Sequence, residues 1–380
     1  MMRHKKKLLT LTMLIIASGF VFWPGFKPNF VHPPTLHLTQ SESFGENVGA
    51  GNVVGIEPVM EPLDYATAER FKAKISGYMD AARAKGWFTA DTIVLLPEHL
   101  ATWLIATDVG SRVYSAEGTT LPLLRLLASE PIEAIKSLFI FDDGDPWAAA
   151  LFRSRAGVLS RNIEDVFGGL AKEYGVTLIA GSAALMTAGI YDEGLSYGHG
   201  PIFNASFVFG PDGKPLEDAV RKSHPILAER GFITPFPAKA QPVFEGAGRK
   251  FSVLICADSW FNDTFEAGNK AESSLVLVPA FLTGAEWQAP WGGYIGDQPE
   301  HDAWIVDIGQ ITEGEAWIKY AMPAKAKTYG VKDGMTVFLK GDLWGERGNG
   351  RALILEHGTL HIGAAGLRDA AIYNLWLQAP

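Results

Sequence analysis

From Asn52 onward the chain alternates short, uninterrupted apolar runs with longer stretches in which apolar residues recur every three or four positions. Apolar runs of this length bounded by turn residues read as buried strands. They fall at 53–59, 92–96, 175–181, 202–209, 250–256 and 274–278, with further strands at 336–339 and 352–355. Between them, Tyr65, Ala68, Phe71, Ile75, Met79 and Ala82 share one face of a helix over 65–85. A second helix follows Glu164 and carries Val166, Leu170 and Tyr174 on one side. Strands separated by helices predict a layered α/β architecture. The stretch 102–161 breaks the alternation, mixing helical pieces with Asp142, Asp143 and Asp145, and reads as an insertion.

The N-terminus follows a different pattern. Arg3, Lys5, Lys6 and Lys7 precede an uncharged stretch, 8–23, close to the ~17–25 residues that a spanning helix needs. Residues 1–23 therefore read as a signal anchor, or as a signal peptide cut near Ala17, Ser18 and Gly19. The apolar run continues through Val21, Phe22 and Trp23, which favours the anchor. The preceding cations predict the N-terminus inside and the body outside the cytoplasm, in the periplasm if anchored and secreted if cleaved. Residues 24–52 are rich in Pro, Ser, Gly and Asn without a period and read as a linker. The domain then spans 53–380. A net charge of −9, with no basic cluster beyond the N-terminal lysines, argues against nucleic acid as a partner.

Cys256 is the only cysteine, so the chain has no internal disulfide. It ends an apolar strand and is followed by Ala257, Asp258 and Ser259, a sharp strand-to-helix step. A thiol held there faces main-chain N–H groups, as a nucleophile requires; the alternative is a small buried hydrophobe. Glu98 ends the 92–96 strand and Lys222 follows the turn Gly210-Pro211-Asp212-Gly213 and its short continuation. Functional groups gather at the carboxyl ends of strands in open α/β sheets. A carboxylate, an ammonium and a thiol meeting there could move a proton and stabilise an oxyanion.

Together these contexts resemble the carbon–nitrogen hydrolase (nitrilase) superfamily. Pro97-Glu98 looks like its general-base motif, Arg221-Lys222-Ser223-His224 like its lysine motif, and Ile255-Cys256-Ala257-Asp258-Ser259-Trp260-Phe261 like its nucleophile motif. The helix and strand over 171–182 and the polar stretch at Asn204 are similar to elements lying between them. The resemblance implies an α-β-β-α sandwich that can form a homodimer with stacked sheets. It implies Cys256 as nucleophile, Glu98 as proton acceptor and donor, and Lys222 with the Ala257 N–H as oxyanion donors. Glu229 resembles a second glutamate that orients the lysine or the water. No cofactor and no metal are implied.

Two positions depart from the family pattern: Ala257 stands where an aromatic is common, and Asn262 where proline is usual. An aromatic and a glutamate after the cysteine go with nitrile hydrolysis, so an amide or acyl substrate is expected instead. The first function reading is a membrane-tethered, extracytoplasmic thiol hydrolase acting on amides. The second is an N-acyltransferase for lipid-linked or peptide substrates, since Lys222, His224 and Glu229 are similar to the apolipoprotein N-acyltransferases; those carry several spans. The third is a non-enzymatic assembly module, for example in conjugal transfer, which the three catalytic residue types argue against. Trp287, Trp291 and Tyr294 are candidates for an acyl-pocket wall, a membrane contact or plain packing. Asp142, Asp143 and Asp145 lack a glutamate at calcium-loop spacing and read as a solvated turn. His357 and His361 flank Gly358 and Thr359, which disfavours a helical zinc pair.

Overall fold

The computed structural model describes residues 23–30, 32–138, 144–294, 302–364, 366 and 368–379. The candidate anchor, apart from Trp23, and Asp142 and Asp143 lie outside the described residues. Among the described residues, no helix is long and apolar enough to cross a membrane.

Two six-stranded sheets form the centre. The first runs in the order Leu38–Phe44, Ala370–Trp376, Asn52–Glu57, Thr92–Leu95, Thr177–Ile179, Val208–Phe209. The second runs Phe244–Gly246, Arg249–Val253, Leu275–Ala280, Asp333–Phe338, Leu353–Glu356, Thr359–Ile362. The inner strands Asn52–Glu57 and Thr92–Leu95 of the first sheet are buried along their whole length, so both of their faces are covered, since successive side chains point to opposite sides. Val53, Ile93, Leu95 and Ile179 join Phe251, Val253, Leu275 and Met335 of the second sheet in one core. Val54, Ile56, Val94 and Leu178 face the other way, onto the helices Ala68–Ala84 and Ala156–Ile163. Helices Glu313–Tyr320 and Met322–Thr328 cover the outer face of the second sheet. The layers are therefore helix, sheet, sheet, helix. The sheets approach so closely at Gly55 that a Cβ there would lie 2.3 Å from Met335 Sδ.

Local chemistry explains several boundaries. The helix expected from Tyr65 begins at Ala68, because the Thr67 side chain accepts the Arg70 N–H and caps it. Tyr65 belongs instead to a 3₁₀ turn, Pro62–Tyr65. The run 202–209 is not one strand. Ile202–Ser206 pairs with Ala183–Met186 and Val220–Arg221 in a small sheet, and Val208–Phe209 crosses into the first large sheet. The reading of 24–52 as linker is corrected within Leu38–Phe44, which pairs in parallel with Ala370–Trp376 as an edge strand. Its mixed polar sequence carries no periodic signal because an edge strand is only half-buried.

The segment after Thr102 is helical. It comprises Thr102–Ala106, Ser111–Tyr114, Thr120–Ser129, Pro131–Leu138, Pro146–Ser154 and Ala156–Ile163. Arg155 ties it together, donating to the carbonyls of Ile105 at 2.7 Å and Thr107 at 2.9 Å and to Ser129 Oγ at 3.1 Å. Asp145 caps the helix Pro146–Ser154 through the N–H groups of Trp147 and Ala148.

Candidate active site

Three strand ends converge. The chain leaves Thr92–Leu95 through Leu96 and Pro97 and presents Glu98; Gly181 permits this, since a Cβ there would sit 2.1 Å from the Pro97 carbonyl. Val220–Arg221 delivers Lys222, whose N–H donates to the Asn204 carbonyl at 2.8 Å. Arg249–Val253 leads to Cys256, which opens a 3₁₀ turn, Cys256–Trp260. Cys256 has φ 48° and His99, directly after Glu98, has φ 56°. Left-handed backbone at non-glycine residues costs energy and concentrates at functional sites, where the surrounding fold holds it. Ser259 Oγ donates to the Cys256 carbonyl at 2.7 Å and fixes the turn.

The structure brings Glu98, Lys222, Glu229 and Cys256 together. Lys222 Nζ lies 2.7 Å from Glu98 Oε1 and 2.6 Å from Glu229 Oε2. All three are buried, Lys222 at 1% exposure, Glu98 at 2% and Glu229 at 5%. Burial works against the charge on Lys222, but Glu229 and Glu98 together outweigh it and hold the ammonium well above the ordinary lysine range. Burial likewise opposes ionisation of Glu229, yet Lys222 and His99 prevail and keep it a carboxylate far below its usual range. The Cys256 thiol is pushed well above its usual range by burial and by Glu98, only partly offset by Lys222. The resting group is therefore a thiol, which would have to lose its proton to act as a nucleophile. An exposed, pre-ionised Cys256 is thus not what the fold builds, because sheet and turn enclose the sulfur.

Three further groups belong to the cluster, and the sequence assigned none of them a role there. Asn204 Nδ2 donates to Glu98 Oε1 at 2.9 Å and to Glu229 Oε1 at 2.7 Å. The Phe281 N–H donates to Glu98 Oε2 at 3.0 Å, so both oxygens of the carboxylate are held. His99 pairs with Glu229 Oε1 at 3.2 Å through Nε2 and with Thr102 Oγ1 at 2.8 Å through Nδ1. Adjacency to Glu98 was the one available signal for His99. Phe281 contributes only its backbone, which no side-chain pattern can announce.

Asp258 fastens the lysine loop to the cysteine turn. Its carboxylate accepts the Ser223 N–H at 3.0 Å and the His224 N–H at 2.8 Å. Burial pushes it up to about 6, against the pull of His224, Lys222 and those N–H groups. His224 stacks on Phe261 with ring centroids 3.7 Å apart and pairs with Asp263 at 2.9 Å. Ala257 lies buried in the turn directly after Cys256.

Trp287 and Trp291 are corrected as substrate-binding residues. Trp287 packs edge-on against Phe338, and Trp291 stacks on Tyr320 and Trp260. Both rings fill the space between the second sheet and the helix Glu313–Tyr320. Tyr294 packs on Trp260 and Phe261, near enough to Lys222 and Cys256 to feel their charge, and burial holds its phenol protonated. His361 pairs with Glu356 at 2.8 Å and stacks on Phe44, while the backbone N–H of His357 donates to Asp333.

One atom each of Glu98, His99 and Glu229 lies within 4.8 Å of the other two, the donor chemistry of a divalent cation site. Lys222 already pairs with both carboxylates, so the cluster is built around an ammonium.

No protein-family model and no curated protein matches the chain. Solved structures do. A cysteine-to-serine variant of an amidase from the nitrilase superfamily, from Nesterenkonia AN1, is 16% identical and covers 87% of this chain and 93% of its own, at a TM-score of 0.52. An amidase from Nesterenkonia sp. is 16% identical over 88% and 93%, at 0.51. A cysteine-to-alanine variant of the Nesterenkonia sp. AN1 amidase, in complex with butyramide, is 15% identical over 92% and 94%, at 0.51. At these identities the likeness establishes the fold, and the chain has the fold of the nitrilase-superfamily amidases.

Proposed function

We propose that this chain hydrolyses a non-peptide amide through a thioester on Cys256. The observation that carries the reading is a strained, buried cysteine beside a glutamate whose two oxygens are held by Lys222, Asn204 and the Phe281 N–H. A related structure shows acrylamide added at an active site cysteine of the Nesterenkonia amidase, which supports the assignment by likeness.

Each step follows from the groups present. Glu98 takes the thiol proton as sulfur attacks the amide carbonyl carbon. Negative charge moves to the carbonyl oxygen, where Lys222 and the Ala257 N–H stabilise it. The tetrahedral species collapses, the C–N bond breaks, and Glu98 returns its proton to the departing amine. Water then attacks the thioester, giving its proton to Glu98. The acid leaves, and the proton returns to sulfur. Glu229 and His99 position Lys222 and touch no reacting atom.

Intact mass after acid quench, across a panel of amides, esters and small nitriles, tests this. The expected result is a mass gain equal to the acyl group from an amide, acid in solution, no adduct in Cys256→Ala and no turnover of nitriles. Acid release that persists in Cys256→Ala would remove the cysteine from the reaction. The tether remains part of the proposal, motivated by the cations Arg3, Lys5, Lys6 and Lys7 before the uncharged stretch. Alkaline phosphatase fused after Pro380 is expected to be active, and a reporter that works only in the cytoplasm silent; the reverse would overturn the topology.

A further inference from the structure

A cavity of about 400 Å³ opens onto Glu98, Lys222 and Glu229 and is walled by the helical segment that follows Thr102. The size lies within the roughly 300–1,000 Å³ of small-molecule sites. Thr120–Ser129 contributes Leu123 and Leu126, and Pro146–Ser154 contributes Leu151 and Phe152. Ile226 and Phe232, on either side of Glu229, complete the opposite wall. Glu98, His99, Lys222 and Glu229 group at the catalytic end, and apart from Asp145, Glu346 and three threonines the remaining lining is apolar. We propose that this chamber binds the acyl part of the substrate and selects neutral amides bearing a linear apolar acyl chain, rather than small or charged ones.

The chemistry of the two ends argues for that orientation. The reacting carbonyl needs Lys222, so it lies at the polar end. Its acyl group then has the apolar walls to fill, and each methylene taken from water gains binding free energy. Charge works against an anionic chain: Glu98, Glu229, Asp145 and Glu346 line the cavity against the single ammonium of Lys222. Asp145 already caps a helix, and Glu346 already accepts the Thr283 hydroxyl at 2.9 Å, so neither is placed to serve a ligand cation at no cost. The walls come from the segment that interrupts the strand–helix alternation, which gives that segment a use beyond packing.

The inference rests on the amidase reading, and the test separates the two. Binding of linear primary amides from acetamide to octanamide is measured calorimetrically with the Cys256→Ala protein, where no chemistry intervenes. The expected affinity rises about fourfold per methylene until the chamber is full. Octanamide bearing a carboxylate at the far end of its chain is expected to bind at least about tenfold more weakly than octanamide, through repulsion and desolvation. Leu123→Trp, which fills the chamber, is expected to lower the octanamide-to-acetamide affinity ratio about tenfold. Affinity independent of chain length, or equal affinity for the anionic chain, would overturn the proposal even if amides are hydrolysed. Chain-length selection without any acyl-enzyme in the wild type would leave the chamber standing and overturn the hydrolase reading.

Discussion

Replacing Lys222 with alanine is expected to abolish turnover and also to destabilise the fold by about 3–5 kcal/mol, the cost of stripping the partner from buried charge. Lys222 is 1% exposed and neutralises Glu98 and Glu229 at 2.7 and 2.6 Å. Without it, two carboxylates face each other with little exposure to water. A lysine at the surface could be removed without such a cost; the burial of all three groups sets it here. The loss carries a pH signature. In the wild type, Glu229 is held below its ordinary range, so its pairing stabilises the protein at neutral pH and fades as pH falls through that depressed value. In Lys222→Ala the lone carboxylates are expected to be raised instead, so the deficit should shrink as acid protonates them. Thermal melts from pH 4 to 8 on both proteins check this. A deficit that does not narrow in acid would show that lost packing, not charge, is responsible. Lys222→Ala combined with Glu229→Gln should regain much of the stability and none of the turnover, since the oxyanion donor is still missing.

Glu98→Gln is expected to lower kcat about 10²–10⁴-fold with KM little changed. Glutamine keeps the shape but has one accepting oxygen, so it can serve either Lys222 at the Oε1 position or the Phe281 N–H at the Oε2 position, while Lys222 stays paired with Glu229. What it cannot do is take the Cys256 proton. That proton must go somewhere during attack, because burial and Glu98 hold the resting group as a thiol. Removing Glu98 charge also makes the thiol easier to ionise, so alkylation of Cys256 by iodoacetamide should quicken in Glu98→Gln as turnover falls. Steady-state kinetics and timed alkylation on the same preparation check both halves. Turnover near the wild-type value would take Glu98 out of the mechanism.

The residues of the candidate site were marked in the sequence by their local context. Glu98 and Cys256 each end a short apolar run, and Lys222 follows a Gly-Pro turn, so each was marked by its neighbours. His99 was not, because its meaning lies in Glu229, which is distant in the chain and 3.2 Å away in space. Trp287 and Trp291 invited a pocket assignment because a large aromatic looks the same in sequence whether it lines a cavity or fills a core. The paired strand Leu38–Phe44 was hidden for the opposite reason: half-exposed at a sheet edge, it needs no apolar alternation.

The sequence by itself determined most strands and helices between Asn52 and Leu355, and which residue types stand at the strand ends, because hydrophobic period and turn chemistry act over a few residues. Only the tertiary structure decided that Leu38–Phe44 would pair with Ala370–Trp376, that 202–209 would divide between two sheets, and that helices after Thr102 would wall a chamber over Glu98. It also decided the ionisation of the site. The states of Lys222, Glu229 and Cys256 follow from burial and from each other's charge, and neither exists until distant strand ends meet.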